Sequence, residues 1–400
     1  MRWIGYLPAI FLESVVSQMR VALTGFFTLI AVMGMGRFSL TPQLPLMLQE
    51  QIISLSSAGL LASMNYIGYL VGAIYAMRLN QHHALHLRVG IWMTVAATLL
   101  SAFTPDFTLQ AILRFLAGLG GAWALIIITA WTQDRLAVFN APRLSAAVFS
   151  GPGAGIMLTG ILAWVLAHAD ASSEQGWLVY GGVALLIALL FRTSLPTEIH
   201  RPQAGTTAPL SWSPALKKLL VTYTLAGFGY ILPATFLSQL ANVMFPGSTL
   251  AALFWPMFGL AAMLGVAAVI FLGTRLSTRF RLTLTLVLQA IGVASVVAFP
   301  GMAGLVTGTL LTGGGFLAIM QLSMRMGREI APSQTARVVG ILTTGYATGQ
   351  LVGPLVSSAS VHLFGSLSPA LGVAAVSLIA AAALTASNRP SSGLEATQAK

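Results

Sequence analysis

Long apolar stretches alternate with short polar ones from about residue 21 to about residue 387. They run roughly over 21–48, 54–77, 89–104, 107–131, 142–167, 177–195, 217–241, 250–274, 282–299, 301–325, 336–362 and 365–387. A hydrocarbon core of about 30 Å takes about 20 helical residues. Each stretch therefore reads as a transmembrane helix, the third and ninth being short. Residues 196–216 hold Pro196, Pro202, Pro209 and Pro214 among Ser, Thr and Gly, and read as a linker. The expected organisation is an N-terminal segment 1–20, a six-helix half 21–195, the linker 196–216, a second six-helix half 217–387 and a tail 388–400. The N-terminal segment reads as an interfacial helix or as sequence ahead of a start at Met19, and it lacks a signal-peptide cleavage site.

One apolar stretch breaks its own pattern. Gly34-Met35-Gly36-Arg37-Phe38-Ser39-Leu40-Thr41-Pro42-Gln43-Leu44-Pro45 puts a charge, two glycines and two prolines inside the first span. A charge at bilayer depth costs about 2.5–3.5 kcal/mol on insertion scales. Pro42 and Pro45 have no N–H for the carbonyls of Phe38 and Thr41, so the helix is expected to bend or break just past Arg37.

The same signature returns. Gly34 and Gly36 recur as Gly227 and Gly229 (offset 193), Gly72 and Arg88 as Gly265 and Arg281 (193), and Gly118 and Gly120 as Gly313 and Gly315 (195). Arg143, Gly151 and Gly155 recur as Arg337, Gly345 and Gly349 (194), and His168 as His362 (194). A near-constant offset that matches the linker implies a duplicated six-helix unit. Six is even, so both halves cross in the same sense and are related by an axis along the membrane normal. Pro233 follows Gly229 as Pro42 follows Phe38, so spans one and seven are expected to be interrupted at matching levels. Gly34, Gly36, Pro42, Gly229 and Pro233 are the candidate hinge residues.

Composition agrees with this picture. Of 400 residues, 56% are hydrophobic and 7% charged, against about 25% charged in a soluble domain. There is no cysteine, which excludes thiolate metal sites, Fe–S clusters and disulfides. The net charge of +11 is explained by placement and not by nucleic acid. Apart from Arg37 and Arg114, the Lys and Arg residues cluster between pairs of spans, the positive-inside pattern, which puts both termini in the cytoplasm. All nine acidic residues fall in loops, tails or span ends. That lowers the prospects of a carboxylate proton carrier and of a cationic substrate, and raises those of an anionic one.

Other chemistry is sparse. No phosphate loop, His-Glu-x-x-His or nucleophile elbow occurs, so no enzyme activity, metal or cofactor is expected. His82-His83-x2-His86 reads as a solvated basic loop, and His168 and His362 as interfacial residues. The candidate substrate-binding residues are Arg37, Arg114, Tyr230, Asn65, Tyr69, Gln239, Trp255, Gln321 and Tyr346, with Arg37 and Arg114 also candidates for coupling. Gln350 is a further polar residue at membrane depth, and each of these polar residues alone is more often helix–helix glue. Gly345-x3-Gly349-x3-Gly353-Pro354 and Gly68-x3-Gly72 read as close-packing seams.

Twelve spans, a central linker and duplicated halves resemble the major facilitator superfamily. Gly34-Met35-Gly36-Arg37-Phe38…Thr41-Pro42…Leu44-Pro45 and Gly227-Phe228-Gly229-Tyr230…Pro233 are similar to the YbfB/YjiJ-type subfamily of bacterial facilitators. Arg114-Phe115-Leu116-Ala117-Gly118-Leu119-Gly120-Gly121 resembles the superfamily's arginine motif in span four, and Gly151-Pro152-Gly153-Ala154-Gly155 partly resembles an exporter motif in span five. The loop after span two departs from the pattern. Ala76 stands where the superfamily carries Asp, with Asp134, Arg135 and Arg143 as possible substitutes. The resemblance implies a secondary transporter of the bacterial inner membrane, working by alternating access on a small molecule in the lipid bilayer. Protons are the candidate coupling ion, export of an anionic or amphipathic compound is the favoured direction, and the working unit is a monomer. A proton-driven multidrug exporter and a non-transporting sensor on the same scaffold are the alternatives.

Overall fold

The computed structural model describes residues 6–79, 81–199, 212–271 and 276–388. Residues 200–211 of the expected linker and 389–400 of the expected tail lie outside the described residues. Fourteen α-helices follow one another, and no strand occurs among the described residues: α1 (Tyr6–Leu29), α2 (Leu40–Gln49), α3 (Leu55–Arg78), α4 (His83–Leu100), α5 (Phe107–Val138), α6 (Pro142–Val148), α7 (Gly151–His168), α8 (Ser173–Phe191), α9 (Pro214–Met244), α10 (Phe254–Phe271), α11 (Thr278–Ala298), α12 (Met302–Ile330), α13 (Thr335–Phe364) and α14 (Ser368–Ala386). A π-helix, Ile30–Phe38, joins α1 to α2.

Eleven helical segments among the described residues are long and apolar enough to cross a membrane. The twelfth span is α13, 30 residues long and diluted by seven Thr and Ser and four Gly. The first span comprises α1, the π-helix and α2, and the fifth comprises α6 and α7. The helix from Tyr6 enters the first span without a boundary at residue 20.

Two expectations about backbone breaks need correction. The first span does not break past Arg37; it changes form before it, in nine residues of π-helix, and Ser39 at the junction stays helical at φ −64° and ψ −22°. Starting α2 at Leu40 puts Pro42 in a first turn, where a backbone N–H has no intrahelical partner to lose. The widened coil upstream absorbs what would have been a break. The seventh span is not interrupted either: α9 continues through Pro233 to Met244. Neighbouring helices can satisfy the carbonyl a membrane proline frees. The spans expected to be short also begin earlier than hydropathy suggested. α4 and α11 include Arg88 and Arg281, whose guanidinium groups donate to Pro196 O at 3.5 Å and Val269 O at 2.6 Å.

Helices meet where glycine lets backbones touch. A Cβ on Gly118 would lie 2.0 Å from Asn65 O, and one on Gly68 would lie 2.0 Å from Phe115 O, locking α3 to α5. The second half repeats the first contact, a Cβ on Gly313 falling 2.6 Å from Phe258 O. A Cβ on Gly34 would lie 2.5 Å from Gly155 Cα, and one on its twin Gly227 would lie 2.5 Å from Tyr346 O. Both expected seams are close contacts: a Cβ on Gly349 would lie 2.1 Å from Thr224 O, and one on Gly72 would lie 2.8 Å from Leu119 O. Between the halves α7 crosses α10 through Gly153 and Gly259, and α3 meets α13 at Gly59 and Pro354. The fold is thus two pseudo-symmetric six-helix halves, with α3, α7, α10, α13 and the arginine-bearing first span along their shared face.

Candidate functional site

The π-helix decides where Arg37 points. All nine of its residues are buried, and its wider turn leaves carbonyls to be met by side chains. Ser39 Oγ donates to Met35 O at 2.5 Å, and Arg114 Nη1 donates to Gly36 O at 3.2 Å. Arg37 itself leaves its own half. Its Nη2 donates to Gln350 Oε1 of α13 at 2.7 Å, and Gln350 Nε2 donates in turn to Tyr230 Oη of α9 at 2.5 Å. The guanidinium lies 4.2 Å from the ring centre of Tyr69 and 4.8 Å from that of Tyr66, both on α3. Cation–π contacts of this kind partly replace lost hydration.

Aromatic rings wall the rest. Tyr230 stacks on Phe316 at 4.6 Å and 14° and on Tyr346 at 5.6 Å and 12°. Tyr346 stacks on Tyr223 at 4.3 Å. Phe258 links Phe316 to Trp255, and Phe38 touches both Phe316 and Trp255. The site is closed, with Arg37 6%, Gln350 2% and Tyr230 1% exposed. No acidic residue joins this cluster among the described residues. The acidic residues of the first half stand at helix ends, where Asp106 caps α5 and Glu50 accepts hydrogen bonds from Ser173 N, at 2.8 Å, and Ser173 Oγ.

The structure brings together Arg37, Tyr69, Tyr230, Tyr346 and, through Phe38, Trp255. It separates Arg114 from them. Arg114 is fully buried inside the first half, with Nη2 on Ser101 Oγ at 2.7 Å and the guanidinium 4.4 Å from the Trp177 ring. Asn65 belongs to that neighbourhood too, donating to Arg114 O at 3.0 Å. Trp255 Nε1 bonds Thr159 Oγ1 at 3.0 Å across the half–half boundary. Gln239 and Gln321 are half-buried on α9 and α12 and join neither network. The histidine loop is a correction: His83 is buried at the start of α4, and His86 packs on Tyr75 and Trp123. His168 and His362 are exposed.

Sequence reasoning left Tyr66, Phe316 and Thr235 out of the site and noted Gln350 only as a polar residue. Tyr66 Oη pairs with Thr235 Oγ1 at 3.3 Å across the halves. The signal available for Tyr66 and Tyr69 was their i, i+3 spacing, which puts both on one helix face. Nothing in the sequence aligned Phe316 with Tyr230.

The family model described as "Uncharacterised MFS-type transporter YbfB" matches residues 29–386. The chain belongs to this family. Among solved structures it is similar to the nucleoside transporter NupG, with a TM-score of 0.73, 13% identity, and coverage of 94% of this chain and 100% of that one. It is likewise similar to a D-xylose–proton symporter, with a TM-score of 0.71, 15% identity, and coverage of 96% and 99%. No curated protein matches. At such identities the likeness establishes the fold. Family and fold together make this chain a major facilitator transporter of the secondary class and not an enzyme.

Arg114 supports the peptide next to Arg37 through a fork that reaches Gly36 O and Ser101 Oγ at once. A lysine cannot hold both. Arg114→Lys is expected to lower transport about 10–100-fold, the order a misplacement of about 1 Å costs, at normal abundance in the membrane. A flux assay normalised to transporter in the bilayer checks it, and unchanged flux would remove Arg114 from any positioning role.

Proposed function

We propose that the protein moves a small organic anion across the bacterial inner membrane by alternating access, with Arg37 as the central binding group. The observation that carries this reading is a buried cation at the half–half boundary with no carboxylate beside it among the described residues. A lone buried charge is costly and calls for a counter-charge. The same observation disfavours lipophilic cations as substrates. Rocking of the halves would separate α13 from the first span and so part Arg37 from Gln350. Gly34, Gly36, Pro42, Gly229 and Pro233 lie on the two spans that carry Arg37 and Tyr230, which supports their reading as hinge positions.

One chain supplies every group around Arg37, so a monomer suffices. The basic residues gathered at one end of the spans support a cytoplasmic placement of both termini. The Gly151-Pro152-Gly153 start of α7 supports export. Proton coupling acts through this site without a membrane carboxylate. The test is counterflow in proteoliposomes, using solutes found by thermal-shift screening of the purified protein. Exchange of a labelled anion down no net gradient is the expected result; binding without exchange would turn the reading toward a sensor.

A further inference from the structure

The Arg37 guanidinium is half used. Nη2 is taken by Gln350 Oε1 at 2.7 Å, while Nε is buried and has no hydrogen-bond partner. These two nitrogens form one edge of the guanidinium, the edge that grips a carboxylate with two parallel hydrogen bonds. Gln350 can offer that edge only one oxygen. Its amide nitrogen is turned away, donating to Tyr230 Oη. Gln350 Oε1 thus stands where one carboxylate oxygen would sit, and Nε waits for the second.

The walls around that edge also select. Tyr230, Phe316 and Tyr346 have nearly parallel planes, within 14° of one another pairwise through Tyr230. Tyr69 and Tyr66 face the guanidinium from α3. A flat ring packs well against such an aromatic wall, whereas a sugar or polyol would leave hydroxyls without partners against it. One cation without a carboxylate neighbour is neutralised by one negative charge.

Resting on the transport reading above, we propose that the solute is a planar aromatic monocarboxylate. Its carboxylate takes the Nε–Nη2 edge of Arg37 and its ring packs against the Tyr230–Phe316–Tyr346 rings in the space the Gln350 side chain vacates. Gln350 is the occupant it displaces, a side chain that holds Arg37 while no anion is bound.

Four probes isolate the two requirements on the full chain in detergent or nanodiscs, read by thermal shift and by tryptophan fluorescence. Benzoate has both charge and ring, benzamide the ring alone, acetate the charge alone, and cyclohexanecarboxylate the charge with a puckered ring. Benzoate is expected to raise Tm; benzamide and acetate are not, and cyclohexanecarboxylate binds several-fold more weakly than benzoate. Arg37→Lys, which keeps the charge and loses the fork, weakens benzoate at least tenfold. Gln350→Ala tightens it several-fold, because the competing oxygen is gone; a merely structural Gln350 would not give that direction. Equal binding of benzamide and benzoate, an unaltered benzoate affinity in Arg37→Lys, or weaker benzoate binding in Gln350→Ala each overturns the assignment. If none of the four binds while Arg37-dependent counterflow of another anion is measured, the substrate class is wrong and the transport reading stands. If no solute exchanges at all, the transport reading itself has failed.

Discussion

Arg37→Gln is expected to abolish transport while leaving the protein as abundant in the membrane as before. Glutamine keeps a polar group near Gln350 but has neither the charge nor the two-nitrogen edge. A hydrogen bond to a charged group contributes about 1.5–3 kcal/mol, so losing one from the bound state alone costs roughly 10–100-fold in affinity. The loss of the counter-charge adds to that. Stability should move the other way or not at all. The buried guanidinium has one hydrogen bond from Nη2, a bare Nε and no acidic partner in its cluster, so removing it relieves a desolvation cost. The combined signature is an inactive transporter with an equal or higher Tm, the pattern of a residue kept for function at the expense of stability. Flux in proteoliposomes and melting in detergent, measured on the same preparation, check both parts. Full activity would end the case for Arg37 as the binding group, and a collapsed Tm would recast it as a structural cation.

Gly118→Val is expected to prevent folding outright. The new Cβ would lie 2.0 Å from Asn65 O, and Gly68 on the facing helix is as tightly placed, since a Cβ there would lie 2.0 Å from Phe115 O. Both obstacles are backbone, so no rotamer change relieves them. Overpacking commonly costs about 1–3 kcal/mol and more where nothing can yield, and here two transmembrane helices must part along their length. The same separation would withdraw Asn65 Nδ2 from Arg114 O and disturb Arg114's hold on Gly36. Size-exclusion of a fluorescent fusion should show aggregate in place of a monodisperse peak. Gly182→Ala is the control. A Cβ there meets nothing within 4 Å, and alanine in a helix interior stabilises by roughly 0.5–1 kcal/mol relative to glycine. A monodisperse Gly118→Val would mean that the α3–α5 contact is looser than this glycine pair implies.

The two buried arginines show how similar residues diverge in role. Each lies in the first half. The repeat puts Tyr230 at the position of Arg37 and, at the offset of 195 found for the neighbouring glycines, Thr309 at that of Arg114. Arg114 spends its donors on fixed oxygens of its own half, Gly36 O and Ser101 Oγ. Arg37 spends one on a side chain of the other half and holds one back. Only the second arrangement can exchange a protein partner for a solute.

Much of this was legible in the linear chain. Hydropathy marked twelve spans because a backbone in lipid must satisfy its own hydrogen bonds, which forces long apolar helices. The repeat was legible because close helix contacts demand glycine at fixed places in both halves, as at Gly118 with Asn65 and Gly313 with Phe258. Arg37 stood out because a charge inside an apolar run is rare. What the sequence could not reveal was set by contacts far apart along the chain. The first span changes register in a π-helix that contains Arg37 and does not break past it; Arg114, 78 residues past Gly36, takes one of the carbonyls this frees. The partner of Arg37 lies 313 residues away. Proline and glycine counts report local cost; they do not report which neighbour absorbs it. Composition thus determined a duplicated helical transporter with a charge in its first span, and only the packing of one half on the other decided that the charge faces Gln350 and a stack of rings.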